Sequence, residues 1–172
     1  MLKKVAILSY VFFVLVANVY AVPPGFDPHL LGYIDSVCAK NKIPPVVVYA
    51  IIEVESKWNA RACGRGTDFG LMQLNVNYIP EFIDKYGNAG YKYSPKSDPY
   101  DNVVIGIRHL RRLLDLFQGD YFKAIIAYNC GYSRVIESKI PLSSIDYLEK
   151  VLMNVSFTET EIRNKSSWRK FY

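Results

Sequence analysis

Pro44-Pro45-Val46-Val47-Val48-Tyr49-Ala50-Ile51-Ile52-Glu53-Val54-Glu55-Ser56-Lys57-Trp58-Asn59 is the stretch on which the fold class turns. Its three consecutive valines suit a β-strand. The apolar stripe Val47, Ile51, Val54, Trp58 instead steps at helical spacing and continues to the end of the segment, and the Pro44-Pro45 pair is a normal helix opening. The spacing therefore predicts a helix that runs through Trp58. Within it Glu55 lies near Ile51 and Ile52 on the apolar side, whereas Glu53 is turned about 200° away at ~100° per residue. Glu53 is expected to face solvent. A carboxyl at the end of an apolar helix, next to a glycine-containing loop, has two readings at this point: a surface or capped glutamate, or, if it is partly buried at a cleft floor, an acid whose pKa is raised.

The flanking segments extend the helical pattern. Asp27-Pro28 is a cap followed by proline at the first helical position, and Leu30, Leu31, Ile34, Val37 and Cys38 follow at helical spacing up to Asn41. Ser97-Asp98-Pro99 marks another start, after which Val103, Ile107, Leu110, Leu114 and Phe117 step by four, three, four and three until Gly119. Asp120 caps a further helix carrying Phe122, Ile125 and Ile126, ending near Asn129 to Gly131. Pro141 to Val155 reads as a last helix, with Ile145, Leu148, Val151, Leu152 and Val155. Between these, Ala60 to Asp68 breaks the pattern, Gly70 to Asn75 is a short apolar segment of irregular hairpin type, 76–86 is expected to hold a short helix, and 87–96 is a Tyr- and Gly-rich loop. The expectation is an all-α single domain.

The N-terminus stands apart. Lys3 and Lys4 precede a nearly continuous apolar run from Val5 to Ala17, and Val19-Tyr20-Ala21 offers a cleavage site. This is the grammar of a secretory signal peptide at 1–21, with an uncleaved anchor as the alternative, although the apolar stretch from Val5 to Val22 includes Ser9 and Asn18 and is slightly short of the ~20 residues a span needs. The mature chain is expected to start near Val22, with the domain over 22–155 and a polar, aperiodic tail at 156–172. It is expected to be soluble, because no later segment is apolar enough to span a membrane. Residues 1–21 carry two of the 21 basic and none of the 16 acidic side chains, so the formal charge falls from +5 to +3. The basic residues form no run except at the C-terminus (Arg163, Lys165, Arg169, Lys170), which is too weak for a nucleic-acid interface. Export permits disulfides, and Cys38, Cys63 and Cys130 allow one bridge whose pairing is open, while any of them can equally be a small buried hydrophobe. His29 and His109 are isolated and no metal-ligand spacing occurs. Neither metal nor cofactor is expected.

Three motifs, in order, carry a resemblance. Ala50 to Asn59, Gly70-Leu71-Met72-Gln73-Leu74-Asn75 and Ala127-Tyr128-Asn129-Cys130-Gly131, with Asp98-Pro99 through Leu113 between them and Tyr147 to Val151 after them, resemble the soluble lytic transglycosylase family of lysozyme-like muramidase domains. The similarity covers about 28–152. It implies an α-helical, lysozyme-like fold with a cleft for peptidoglycan glycan strands. It also implies an exported, periplasmic or extracytoplasmic monomer acting on peptidoglycan, and service to an envelope-spanning secretion or conjugation apparatus.

Residue by residue, the resemblance makes Glu55 the single catalytic acid/base, supported through a hydrogen bond by Ser56. Met72 is expected to pack on a sugar and Gln73 to hydrogen-bond one. Tyr128 and Asn129 are expected to face Glu55, and Tyr147 to close the site. Two positions depart from the family pattern. Cys130 replaces a commoner small residue. Asp68, read as a turn aspartate in a Gly-Thr-Asp segment, is the residue that a hydrolytic muramidase would need as a second carboxylate. A non-catalytic glycan-binding scaffold is the third alternative, which an intact Glu55 disfavours.

Overall fold

The computed structural model describes residues 22–23, 25–75, 77–78, 84 and 92–155. The signal peptide and tail expected from the sequence, and the short helix expected over 76–86, lie outside or almost outside these residues.

Helix α1 (Pro28–Lys40) starts where Asp27 accepts from the His29 N–H, with proline at its first turn. Helix α2 (Pro45–Ser56) follows. Its Val48, Ala50, Ile51 and Ile52 are fully buried, so it is covered on nearly every side rather than along one stripe. Helix α3 (Pro99–Leu116) is capped by Asp98, which accepts from the Tyr100 and Asp101 N–H groups. Gly119, at φ +83°, ends the turn after it and donates its N–H to Leu114. Helix α4 (Tyr121–Cys130) is capped by Asp120, and α6 (Leu142–Asn154) closes the described chain. Between them lies a one-turn helix, α5 (Tyr132–Ile136), too short for its periodicity to be read from the sequence.

The segment between α2 and α3 is more regular than its glycines suggest. Cys63–Gly64 (β1), Asp68–Phe69 (β2) and Leu74–Asn75 (β3) form a small antiparallel sheet in the order β1-β2-β3. Gly64 pairs with Asp68, and Asp68 with Asn75. Asp68 is thus the first residue of a strand, not a turn residue. The turn itself is closed one position earlier, where the Thr67 N–H donates to the Gly64 carbonyl. Two-residue strands carry too little alternation to be seen in a sequence. The architecture remains mostly α, with this sheet as a lobe beside the helices.

Trp58 is a second correction. The helix ends at Ser56, and Lys57 (φ +50°) and Trp58 (φ +62°) are both left-handed. The indole is buried all the same, with Phe26 edge-on at 4.8 Å and Tyr49 at 5.5 Å between ring centroids. The sharp reversal, not helical periodicity, brings Trp58 to the core. α2 packs against α6 and α1, α3 against α4 and α1, and α4 against α6. The C-terminal end of α2 is thereby placed against α6, with its Glu55 in electrostatic reach of Asp68 on β2 and Tyr128 on α4. All three thiols are free: Cys38 is buried, Cys130 partly buried and Cys63 exposed. Burial pushes the Cys38 thiol up to about 12, with Asp35 adding to the effect, which makes it a poor nucleophile.

Candidate active site

Glu55 occupies the last turn of α2, partly buried. The Tyr147 hydroxyl, from α6, donates to Glu55 Oε1 at 2.6 Å. Withdrawal from water dominates the behaviour of this carboxyl and pushes its pKa from 4.5 up to about 7, with the Tyr147 hydrogen bond opposing and the Asp68 charge adding. Glu55 is therefore populated in both protonation states near neutral pH. Tyr128 and Tyr147 are held well above the phenol's ordinary pKa by burial and by the charge of Glu55, so both remain hydroxyl donors. Glu53, two residues back, is partly buried on another side of α2.

The second motif, expected to form a wall of the site, is a turn tied to α3 and α4. Gly70, at φ +77°, turns the chain after β2. Asn102, fully buried on α3, receives this turn: its Oδ1 accepts from the Met72 N–H at 2.8 Å, and its Nδ2 donates to the carbonyls of Phe69 and Pro95 at 2.8 and 2.9 Å. Four residues on, at the same face of α3, Gly106 leaves room for Met72, whose sulfur would lie 2.5 Å from a Cβ there. The Met72 carbonyl accepts from the Tyr128 hydroxyl at 2.9 Å, and this bond ties the wall to α4. Sequence reading passed over Asn102. The available signal was a polar side chain four residues before a glycine in a helix otherwise buried along its first half.

The residues expected to contact sugar are placed differently from one another. Met72 is fully buried, so its side chain fills the core beneath the wall instead of presenting a platform. Gln73 is left-handed (φ +47°) and partly buried, and its Nε2 donates to the carbonyls of Gly70 and Ala62 at 2.9 and 3.3 Å. Its donors are committed to the wall. Ser56 donates to the Ile52 carbonyl at 3.1 Å, a bond along its own helix, and not to the Glu55 carboxyl. A serine so late in a helix has the carbonyl four residues back within easier reach than the neighbouring side chain. Tyr128 and Tyr147 are engaged as described. Asn129 is exposed, and its Oδ1 accepts from the Ser144 hydroxyl at 2.7 Å.

Asp68 is brought near enough to Glu55 to raise its pKa. Its Oδ1 accepts from Asn75 Nδ2 at 2.7 Å, and the same nitrogen reaches Thr67 Oγ1 at 3.2 Å. Among the described residues no group of three His, Cys, Asp or Glu side chains is arranged to hold a metal ion. The site offers one carboxyl largely withdrawn from water with its pKa raised to about 7, a hydroxyl on one of its oxygens, a second carboxylate at a distance, and a hydrogen-bonded wall.

Solved structures share this architecture. The lytic transglycosylase Slt of Pseudomonas aeruginosa, solved as an inactive mutant, superposes with a TM-score of 0.65 at 20% identity, over 77% of this chain and 24% of that one. The 70 kDa soluble lytic transglycosylase of Escherichia coli gives 0.65 at 25% identity, over 72% and 23%. A complex of the 70 kDa soluble lytic transglycosylase with bulgecin A gives 0.56 at 22% identity, over 75% and 21%. The chain thus spans about a quarter of the length of the structures it matches. The family model for the transglycosylase SLT domain matches residues 32–140, a span that contains Glu55, the Gly70 wall and the Tyr128-Asn129 pair, and the chain belongs to that family.

Proposed function

We propose that this chain is a peptidoglycan lytic transglycosylase, cleaving the β-1,4 bond between N-acetylmuramic acid and N-acetylglucosamine with formation of 1,6-anhydromuramic acid. The observation that carries the reading is Glu55: a carboxyl withdrawn from water, with a pKa of about 7, and steadied by Tyr147 at 2.6 Å. Membership of the SLT domain family supports it.

The chemistry follows from one group acting twice. Protonated Glu55 gives its proton to the glycosidic oxygen as that bond breaks and the sugar ring gains oxocarbenium character. The N-acetyl carbonyl of the same sugar bonds to the anomeric carbon. Ionised Glu55 then takes the proton of the 6-hydroxyl, whose oxygen attacks the anomeric carbon and displaces the acetamido oxygen. Glu55 ends protonated, as it began, and no water is consumed. A pKa near 7 serves both halves, because donor and acceptor forms are each accessible at neutral pH. Tyr147 occupies Oε1, leaving the other carboxyl oxygen for proton exchange. An internal nucleophile outcompetes bulk water through its high effective molarity.

A second reading, hydrolysis with Asp68 activating water, is favoured by one observation: Asp68 stands on a strand and its charge is felt at Glu55. The products decide. Purified peptidoglycan digested by the protein should give muropeptide ends that are one water lighter than hydrolytic ends and resist borohydride. Asp68→Asn should keep substantial activity. Fully reducible ends, with Asp68→Asn folded but inactive, would replace the lytic reading with the hydrolytic one.

Export belongs to the same proposal. The Lys3-Lys4 pair followed by an apolar run supports delivery to the compartment that holds peptidoglycan. Residues 1–21 fused to a reporter active only outside the cytoplasm should yield signal, and an inactive fusion argues against export. No helix among the described residues is long and apolar enough to cross a membrane. Service to a secretion or conjugation apparatus rests on the family resemblance alone. Its test is whether removal of this protein lowers assembly of such an apparatus.

A further inference from the structure

One turn of α6 carries two hydroxyls that bond across to other helices, Tyr147 to Glu55 on α2 and Ser144 to Asn129 on α4. Ser144 and Tyr147 are three residues apart, on one side of the helix, and both are buried, Ser144 to 1% exposure. Tyr147 donates to Glu55, and Ser144 Oγ donates to Asn129 Oδ1 at 2.7 Å. Ser56, at the end of α2, spends its proton on the Ile52 carbonyl of its own helix, whereas Ser144, the third residue of α6, has no carbonyl of that helix four residues behind it. Nor does a side chain cap α6, whose N-cap is Pro141. The Ser144 proton is spent across helices on Asn129.

That bond fixes a direction. A primary amide has an acceptor end and an end with two N–H donors, and a hydroxyl has one proton to give. With the Ser144 proton on Oδ1, the Nδ2 end of Asn129 is turned away from α6. Asn129 is exposed, and its Nδ2 makes no hydrogen bond among the described residues. The other side chains expected to meet substrate are engaged differently: Met72 is buried, and Gln73, Tyr128 and Tyr147 have donors committed within the protein.

We propose that Ser144 is a positioning residue that holds the Asn129 amide with both N–H donors facing the glycan, where they bind an oxygen acceptor of an N-acetylated sugar. The inference rests on the preceding reading that the substrate is such a glycan. Ser144 and Tyr147 both lie beyond the residues matched by the family model. The turn of α6 from Ser144 to Tyr147 then sets the acid through one hydroxyl and the binding amide through the other.

The test is a double-mutant cycle read by calorimetric titration with chitotetraose, with thermal unfolding as a control. Ser144→Ala should weaken binding ~3–10-fold, the range expected for one net hydrogen bond. Asn129→Ala should weaken it comparably, and the double variant should bind no more weakly than Asn129→Ala alone, since Ser144 acts only through the amide. With peptidoglycan, KM should rise by the same factor and kcat hold, the signature of lost ground-state binding. Unchanged binding by Ser144→Ala, or the same loss repeated on the Asn129→Ala background, overturns the proposal. Should Ser144→Ala fail to fold, Asn129→Asp takes its place. It keeps an acceptor for Ser144 and removes both donors, so binding should fall while the fold holds, and tight binding overturns the proposal. A wild type that shows the coupling but leaves peptidoglycan intact removes the lytic reading and keeps the role of Ser144. A wild type that cleaves peptidoglycan while the cycle is additive does the reverse, and one that neither binds nor cleaves overturns both.

Discussion

Replacing Glu55 by Gln keeps the shape of the side chain and removes its proton equilibrium, so its effect on stability should depend on pH in a calculable way. The carboxyl is pushed from 4.5 to about 7 on folding, mainly by burial. At ~1.4 kcal/mol per unit, this gap corresponds to about 3 kcal/mol. The folded chain holds the proton more tightly than the unfolded chain. Between these two pKa values the folded state carries more protons, and the free energy of unfolding falls as pH rises. The contribution is fully present below pH 4.5 and is lost as pH rises through about 7. Glutamine never ionises and carries no such loss. Glu55→Gln should therefore be more stable than the wild type at about pH 8, by roughly 2–3 kcal/mol, or ~5–10 °C in Tm for a domain of this size. Near pH 4 the two proteins should unfold together. Thermal unfolding followed by circular dichroism at both pH values is the assay, with peptidoglycan lysis measured in parallel and expected to vanish. A Tm difference of the same size at both pH values, or a Gln variant less stable at pH 8, would refute the assignment of a buried carboxyl held against its own ionisation.

Tyr147→Phe removes the hydrogen bond that opposes the rise in Glu55 pKa; the alkaline limb of the kcat/KM profile should move up by roughly one to two units, the worth of a bond to a charged group, and an unmoved limb argues that Glu55 is not the titrating acid. Trp58→Ala should cost roughly 3–5 kcal/mol, read by denaturant unfolding, because the indole is buried between Phe26 and Tyr49; an inactive variant with unchanged stability contradicts a structural role. Gly106→Ala forces a Cβ against the Met72 sulfur and should destabilise the protein by roughly 1–3 kcal/mol. Lysis should fall as well, since Met72 joins Asn102 to Tyr128, and full activity at reduced stability would uncouple this wall from the site.

Much of the helical frame was legible because its signals are local. Asp27, Asp98 and Asp120 each cap the helix their sequence context predicts, since a cap bonds backbone groups two or three residues away. Long apolar stripes marked α3 and α6 for the same reason, and Glu55 stood out as a lone acid on an apolar helix face. The first departures come where the backbone leaves the right-handed region. Trp58 sits at helical spacing but in left-handed geometry, because its position is decided by aromatic partners on α2 and before α1. Asp68 read as a turn residue because two-residue strands have no period of their own; backbone pairing with Gly64 and Asn75 on either side makes it a strand.

What the amino-acid sequence determined by itself is therefore the five longer helices, the three aspartate caps, the candidate acid and the resemblance that joins them. What only the tertiary structure decided is which polar groups meet. Met72 and Gln73 lie in a motif that reads as a sugar-binding wall, yet one is buried and the other spends its donors on backbone carbonyls. Asn102 and Ser144 have no role that the sequence reading assigned, yet they orient that wall and Asn129. The tuning of Glu55 depends on Tyr147, 92 residues away in the chain. Hydrogen bonds and desolvation act over a few ångströms of space, so their partners are settled only when helices from distant parts of the chain pack together.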